Sequence, residues 1–75
     1  MNNSRTHIDD IAYFIAFCIE IFKKAKCMCG AKVSQLFNET GLTEFLAANF
    51  EPIHTQSPQW ILEEIDEYLS YHNAS

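Results

Sequence analysis

The chain has 75 residues, 48% hydrophobic and 20% charged, and five Lys plus Arg against ten Asp plus Glu give a formal charge of −5. That length holds a single domain, 1–75, and the acidic balance argues against a general nucleic-acid binder. Six Phe, three Tyr and one Trp beside only two Gly and two Pro exclude a disordered or collagen-like chain.

The polar opening Asn2-Asn3-Ser4-Arg5-Thr6-His7 has no basic region leading into a hydrophobic signal segment. Ser4 or Thr6 is placed to cap a first helix, with Asp9 and Asp10 in its first turn, where the helix dipole favours carboxylates. Ile8, Ile11, Ile15, Cys18, Ile19 and Phe22 recur at helical spacing, while Ala12, Tyr13, Phe14, Ala16, Phe17 and Ile21 make the rest of the cylinder apolar as well. A helix apolar almost all round must be covered on nearly every side. The run from Ile11 to Phe22 is twelve residues long, against the roughly twenty that a bilayer span requires, so a buried helix is expected. Lys23, Lys24 and Lys26 fall in its last turn, where cations complement the carbonyl end.

Cys27-Met28-Cys29-Gly30 breaks the pattern, with Gly30 near the break. A short second helix is predicted from about Ala31 to Glu39, with Val33, Leu36 and Phe37 inward, and Thr40-Gly41 stops it. A third, Leu42 to Phe50, carries Leu42, Phe45, Leu46 and finally Phe50, with Thr43 an alternative cap. Glu51 to Ser57, containing Pro52, is the longest irregular stretch. Ser57-Pro58 then starts a fourth helix, serine capping and proline taking the first helical position. Trp60, Ile61, Ile65, Tyr68 and Leu69 form its inward stripe, Glu63, Glu64, Asp66 and Glu67 line its outer face, and the tail after Tyr71 frays. The expected fold is all-α: a small four-helix domain, long-short-short-long, with the first helix central.

Charge divides the chain. Residues 1–37 hold all five basic residues and three acids, a net of +2, whereas residues 38–75 hold seven acids and no Lys or Arg, a net of −7. A molecule so polarised steers toward partners of opposite sign.

Few constellations carry chemistry. The second and third helices have the length of a helix-turn-helix, but the would-be reading helix carries Glu44, no Lys or Arg, and only Asn49 as a plausible reader. A small DNA-binding regulator is therefore the alternative reading. Cys18, Cys27 and Cys29 are an odd count at spacings that suggest no disulfide framework, as for reduced thiols in a cytoplasm. Cys27 and Cys29, one residue apart, match structural zinc spacing poorly, and no metal or cofactor is expected. A Cys/His nucleophile pair would need His54 beside Cys27 or Cys29, with no evident oxyanion-binding turn. The acids of the last helix sit on a solvated face that raises no carboxyl pKa, and no Gly-rich phosphate loop is present. No catalytic residue and no small-molecule ligand are expected, so the chain reads as a non-enzyme.

The connector Ile53-His54-Thr55-Gln56 admits two roles. Thr55 or Ser57 can cap a helix end and His54 can bridge to a carbonyl, or the segment is a recognition loop displayed beside Trp60. Residues singled out for interaction are Tyr13, Phe14 and Phe17 on the first helix, His54, Thr55 and Trp60 around the connector, and Glu63, Glu64 and Glu67 on the acidic face.

Four stretches carry a family resemblance: Phe17-Cys18-Ile19-Glu20 with its Lys-rich sequel, Leu36-Phe37 ahead of Thr40-Gly41-Leu42, Ile53-His54-Thr55-Gln56, and Ile65-Asp66-Glu67-Tyr68-Leu69. Over residues 8–70 the chain resembles a family of short bacterial proteins catalogued as a domain of unknown function. The resemblance implies a cytosolic all-α protein without established activity, encoded beside ADP-ribosyltransferase-like toxins as an antitoxin or accessory partner would be. It implies no catalytic residue. The expected function is a small cytoplasmic protein-interaction module whose partner is another protein or a second copy in a homo-oligomer. A chain this short buries only about 60% of its unfolded surface, so a partner that completes the core is physically reasonable.

Overall fold

A computed structural model describes residues 7–73, with side chains from Asp9 to His72, and among these residues the chain is all-helical. Five helices follow in order: α1 His7–Lys26, α2 Gly30–Glu39, α3 Leu42–Ala48, α4 Phe50–Ile53 and α5 Pro58–Asn73. The all-α class stands, but the expected four helices become five, because the stretch read as irregular opens with a helical turn. Capping of α1 by Ser4 or Thr6 lies outside the described residues.

One core joins every element. Phe14, Cys18 and Phe22 come from α1, Val33 and Phe37 from α2, Leu42 and Leu46 from α3, Phe50 and Ile53 from α4, and Ile61, Ile65 and Leu69 from α5. α1 packs against α2, α3 and α5, yet its cover is incomplete. Ile11, Ile15, Ile19 and Ile21 are half-buried, and Ala12, Tyr13, Ala16 and Phe17 are exposed. Within the single chain the cover expected on nearly every side is therefore not complete, and the reason is size. α2, α3 and α4 have 10, 7 and 4 residues, too few to wrap a cylinder of 20. Phe14, expected off the main stripe, is core at 7% exposure.

The corner between α1 and α2 turns on Cys27 rather than Gly30. Cys27 has φ 54°, and the Met28 N–H donates to Lys23 O at 3.1 Å, the long bond of a Schellman cap whose left-handed residue is usually glycine. Gly30 instead opens α2, after Cys29 in extended backbone at φ −82°, ψ 155°. An L side chain in the left-handed region is strained by roughly 1–2 kcal/mol, part of which glycine returns through its freer unfolded chain. Cys27→Gly is accordingly expected to stabilise the fold by about 1 kcal/mol, read as a higher urea midpoint at unchanged slope. A lower midpoint would show that the thiol contributes more than the strain removes.

At the next corner Thr40 Oγ1 donates to Leu36 O at 2.7 Å and Gly41, at φ 77°, caps α3. Thr43 is not the cap; its hydroxyl reaches Asn38 Oδ1 at 3.3 Å. A Cβ on Gly41 would stand 3.2 Å from Tyr68 Oη, and that hydroxyl donates to Thr40 O at 2.8 Å. α5 is thus tied to the α2–α3 turn.

α3 stops earlier than expected, at Ala48, because Asn49 Nδ2 donates back to Phe45 O at 2.8 Å. Phe50 then starts α4, and Pro52 falls in its first turn, where a backbone N–H has no intrahelical partner and its loss is harmless. α5 begins as expected: Ser57 Oγ accepts the Trp60 N–H at 3.2 Å, with Pro58 first in the helix. Trp60, expected inward, is 38% exposed; it lies more than a quarter-turn round the helix from the buried row Ile61, Ile65 and Leu69. The helix also continues past Tyr71 to Asn73, the His72 ring stacking on Tyr68 at 4.0 Å. Among the described residues no helix is long and apolar enough to cross a membrane.

Candidate interaction site

Helical periodicity sets the first surface. With Phe14, Cys18 and Phe22 turned inward, positions 12, 13, 16 and 17 must face outward. Tyr13 is 71% and Phe17 42% exposed. They line a groove of about 520 Å³ with Asp10, Phe14, Phe50, Glu51 and His54. Its floor is buried and packed, Phe14 meeting Phe50 edge-to-face at 5.5 Å and 75°, an arrangement that the ring quadrupoles favour. Beside Tyr13, the small Ala12 and Ala16 form with Asp9 a shallow strip along α1.

His54 closes the groove. Its ring stacks on Phe50 at 4.2 Å and 10°, and Nδ1 lies 2.8 Å from Phe50 O and 3.0 Å from Glu51 O. A carbonyl only accepts, so Nδ1 carries the proton and the neutral ring is the Nδ1–H tautomer. The ring thus adds a second donor at Phe50 O, which already accepts the His54 backbone N–H at 2.9 Å, and bridges from it to Glu51 O, one of the two roles read from the connector. Thr55 Oγ1 turns the same way, 3.5 Å from Pro52 O, and Gln56 Nε2 lies 3.4 Å from that oxygen. The connector side chains are directed at their own backbone, so the display in this region falls to Tyr13 and Phe17.

A second, smaller recess of about 330 Å³ lies along α3 and α5, lined by Phe45, Glu64, Glu67, Tyr68 and Tyr71. Tyr68 packs on Phe45 at 4.7 Å. Asp66 is drawn away from this acidic face by Lys26, whose ammonium stands 3.2 Å from its carboxylate, and Glu63 accepts from Gln59 Nε2 at 3.3 Å. Of the residues singled out in the sequence, Tyr13, Phe14, Phe17 and His54 therefore meet in one groove and Glu64 and Glu67 in another. Thr55, Trp60 and Glu63 line neither. Asp10, Phe50 and Glu51 in the first groove and Phe45, Tyr68 and Tyr71 in the second were missed, and the signal for Tyr71 was present: positions 64, 67, 68 and 71 share one helical face.

Among the described residues no group of three or more His, Cys, Asp or Glu could hold a metal ion. Cys27 and Cys29 are exposed while Cys18 is buried, and burial pushes the Cys18 thiol from 9.0 up to about 12. Asn49, the one amide on the would-be DNA-reading helix, spends its side chain on Phe45 O.

A family model described as Protein of unknown function (DUF3791) matches residues 13–72, from the exposed tyrosine of α1 to the stacked histidine of α5. No curated protein and no solved structure matches the chain.

Proposed function

The chain belongs to the family of proteins of unknown function DUF3791, and from that premise we propose that it is a small protein-interaction module that docks through the outer face of α1. The observation that carries this reading is the apolar strip Ala12, Tyr13, Ala16 and Phe17, which is exposed beside a core that closes without it. Exposed aromatics over a packed floor are the usual anchors of protein interfaces, because they bury much area while losing few rotamers. The acidic second half, with Glu63, Glu64 and Glu67 on α5, steers a basic protein toward the module and speeds its encounter. In biological terms the module works in a bacterial cytoplasm as the antitoxin-like or accessory partner of a toxin-like enzyme.

The test is assembly. The chain, alone and co-expressed with the product of its adjacent gene, is passed through size exclusion with light scattering beside Tyr13→Glu/Phe17→Glu. The wild type is expected to elute above its 8.6 kDa monomer mass in at least one arm, and the double variant at the monomer mass in both. Both positions are exposed, so the variant folds, as circular dichroism will report. Equal assembly of variant and wild type, or monomers throughout, overturns the reading.

A further inference from the structure

We infer that the outer face of α1 is self-complementary and that its occupant is α1 of a second copy, lying antiparallel across the Ala16–Phe17 midpoint. This rests on the reading of α1 as a docking face and names what docks there. Asp9, Ala12, Tyr13, Ala16, Phe17, Glu20 and Lys24 are all exposed, and their spacing of three and four residues draws them into one stripe. Acids occupy the first turn of the helix, Asp9 and Asp10, and lysines the last, Lys23, Lys24 and Lys26.

The helix dipole by itself accounts for acids at one end and lysines at the other. It gives no reason for exposed apolar residues between them, nor for the symmetry of the whole. Asp9 stands as far before the Ala16–Phe17 midpoint as Lys24 stands after it, and the same holds for Asp10 with Lys23 and for Tyr13 with Glu20. A two-fold axis through that midpoint sets Asp9 of one copy level with Lys24 of the other, flanked by Asp10 and Lys23. It also sets each Tyr13 hydroxyl, a donor, level with the Glu20 carboxylate of the second copy, an acceptor. A parallel pairing would instead put aspartates against aspartates and lysines against lysines, which repel. Ala12 and Ala16 let the axes approach, and Tyr13 and Phe17 fill the space beside them. The seam from Asp9 to Lys24 is about 22 Å long at 1.5 Å per residue. The Lys23–Glu20 bridge within each helix, 3.0 Å long with side chains 33% and 55% exposed, is solvated enough to exchange partners readily.

Charge reversal tests the register. Sedimentation equilibrium at low salt is expected to find the wild type dimeric and to find Asp9→Lys/Asp10→Lys and Lys23→Glu/Lys24→Glu each dissociating at least about tenfold more readily. Mixed in equal amounts, the two variants are expected to recover as a heterodimer. Because both reversals also oppose the helix dipole, Ala16→Arg supplies an independent probe. It leaves helix propensity nearly unchanged and sets two like charges against each other at the axis, so it too is expected to be monomeric. Four results overturn the inference. A wild type that stays monomeric at about 100 μM, an order-of-magnitude choice, removes the second copy as occupant, while binding of another protein lost in Tyr13→Glu/Phe17→Glu would keep the docking face. Reversed variants as dimeric as wild type, or variants that fail to recover on mixing, exclude this antiparallel register. A dimeric Ala16→Arg excludes α1 as the contact.

Discussion

Phe37→Ala is expected to remove about 3–5 kcal/mol of stability, the usual range for deleting a buried phenylalanine. Phe37 has no solvent-exposed surface, and its ring meets Phe22 edge-to-face at 5.7 Å and 65°, so alanine removes a packed aromatic pair as well as apolar area. Lys26 Nζ stands 5.7 Å over the other ring of that pair, and this contact loosens if Phe22 moves into the void. A 75-residue chain at roughly 0.05–0.15 kcal/mol per residue holds about 4–11 kcal/mol in total. The substitution therefore takes about a quarter of the stability at the least and all of it at the worst. Urea titration followed by circular dichroism reads the loss as a lower midpoint at unchanged slope. Phe17→Ala, with the same atoms removed from a half-exposed site on α1, is expected to lose less than about 1 kcal/mol under the same measurement. Similar losses at the two positions would contradict the division of α1 into a buried and an exposed face.

The second large effect concerns Cys18. At pH 8 a thiol reagent is expected to modify Cys27 and Cys29 at the rate of exposed cysteines and to reach Cys18 only through global opening. With about 4 kcal/mol or more opposing that opening, the third thiol reacts on the order of a thousandfold or more slowly. Alkaline conditions change the balance. Burial holds the folded thiol pKa at about 12 against 9.0 for the ordinary group, so below pH 9 both folded and unfolded chains keep the proton and stability is unaffected. Between pH 9 and 12 the unfolded chain releases a proton that the folded chain retains. Each pH unit then removes up to about 1.4 kcal/mol, and the loss stops once the folded thiol also ionises. The contribution belongs to Cys18 if Cys18→Ala, compared with wild type across that range, has a flatter stability profile. Parallel profiles would assign the alkaline loss to other groups.

Local chemistry was the most legible part of the fold. Ser57-Pro58 marks a helix start because the serine oxygen bonds an N–H three residues on and proline presets the backbone angle, and neither effect depends on distant residues. Thr40-Gly41 was legible for the same reason. α1 was harder: with apolar residues on every side, periodicity could not separate Phe14, which is buried, from Phe17, which is not. That division is imposed by where α2, α3 and α5 end, a property of three other segments. The break falls where Cys27-Met28-Cys29-Gly30 placed it, but its left-handed residue is Cys27 and not Gly30, because glycine is permitted, not compelled, to adopt a positive φ. Closing the Schellman cap at Lys23 selected the residue that lay there. In the candidate site, Tyr13, Phe14, Phe17 and His54 could be named from residue type and position, but their meeting could not. The floor of their groove is Phe50, whose ring meets Phe14 from the start of α4, and α3 ends two residues earlier than the apolar pattern suggests.

The left-handed residue at the first corner has a stereochemical consequence. Cys27 adopts backbone angles that belong to the mirror-image amino acids. A D-amino acid introduced there by peptide ligation would find its preferred conformation already built, and it would restrict the unfolded chain where glycine loosens it. The corner between α1 and α2 is therefore a place in this all-L chain where inverted chirality is the relaxed choice.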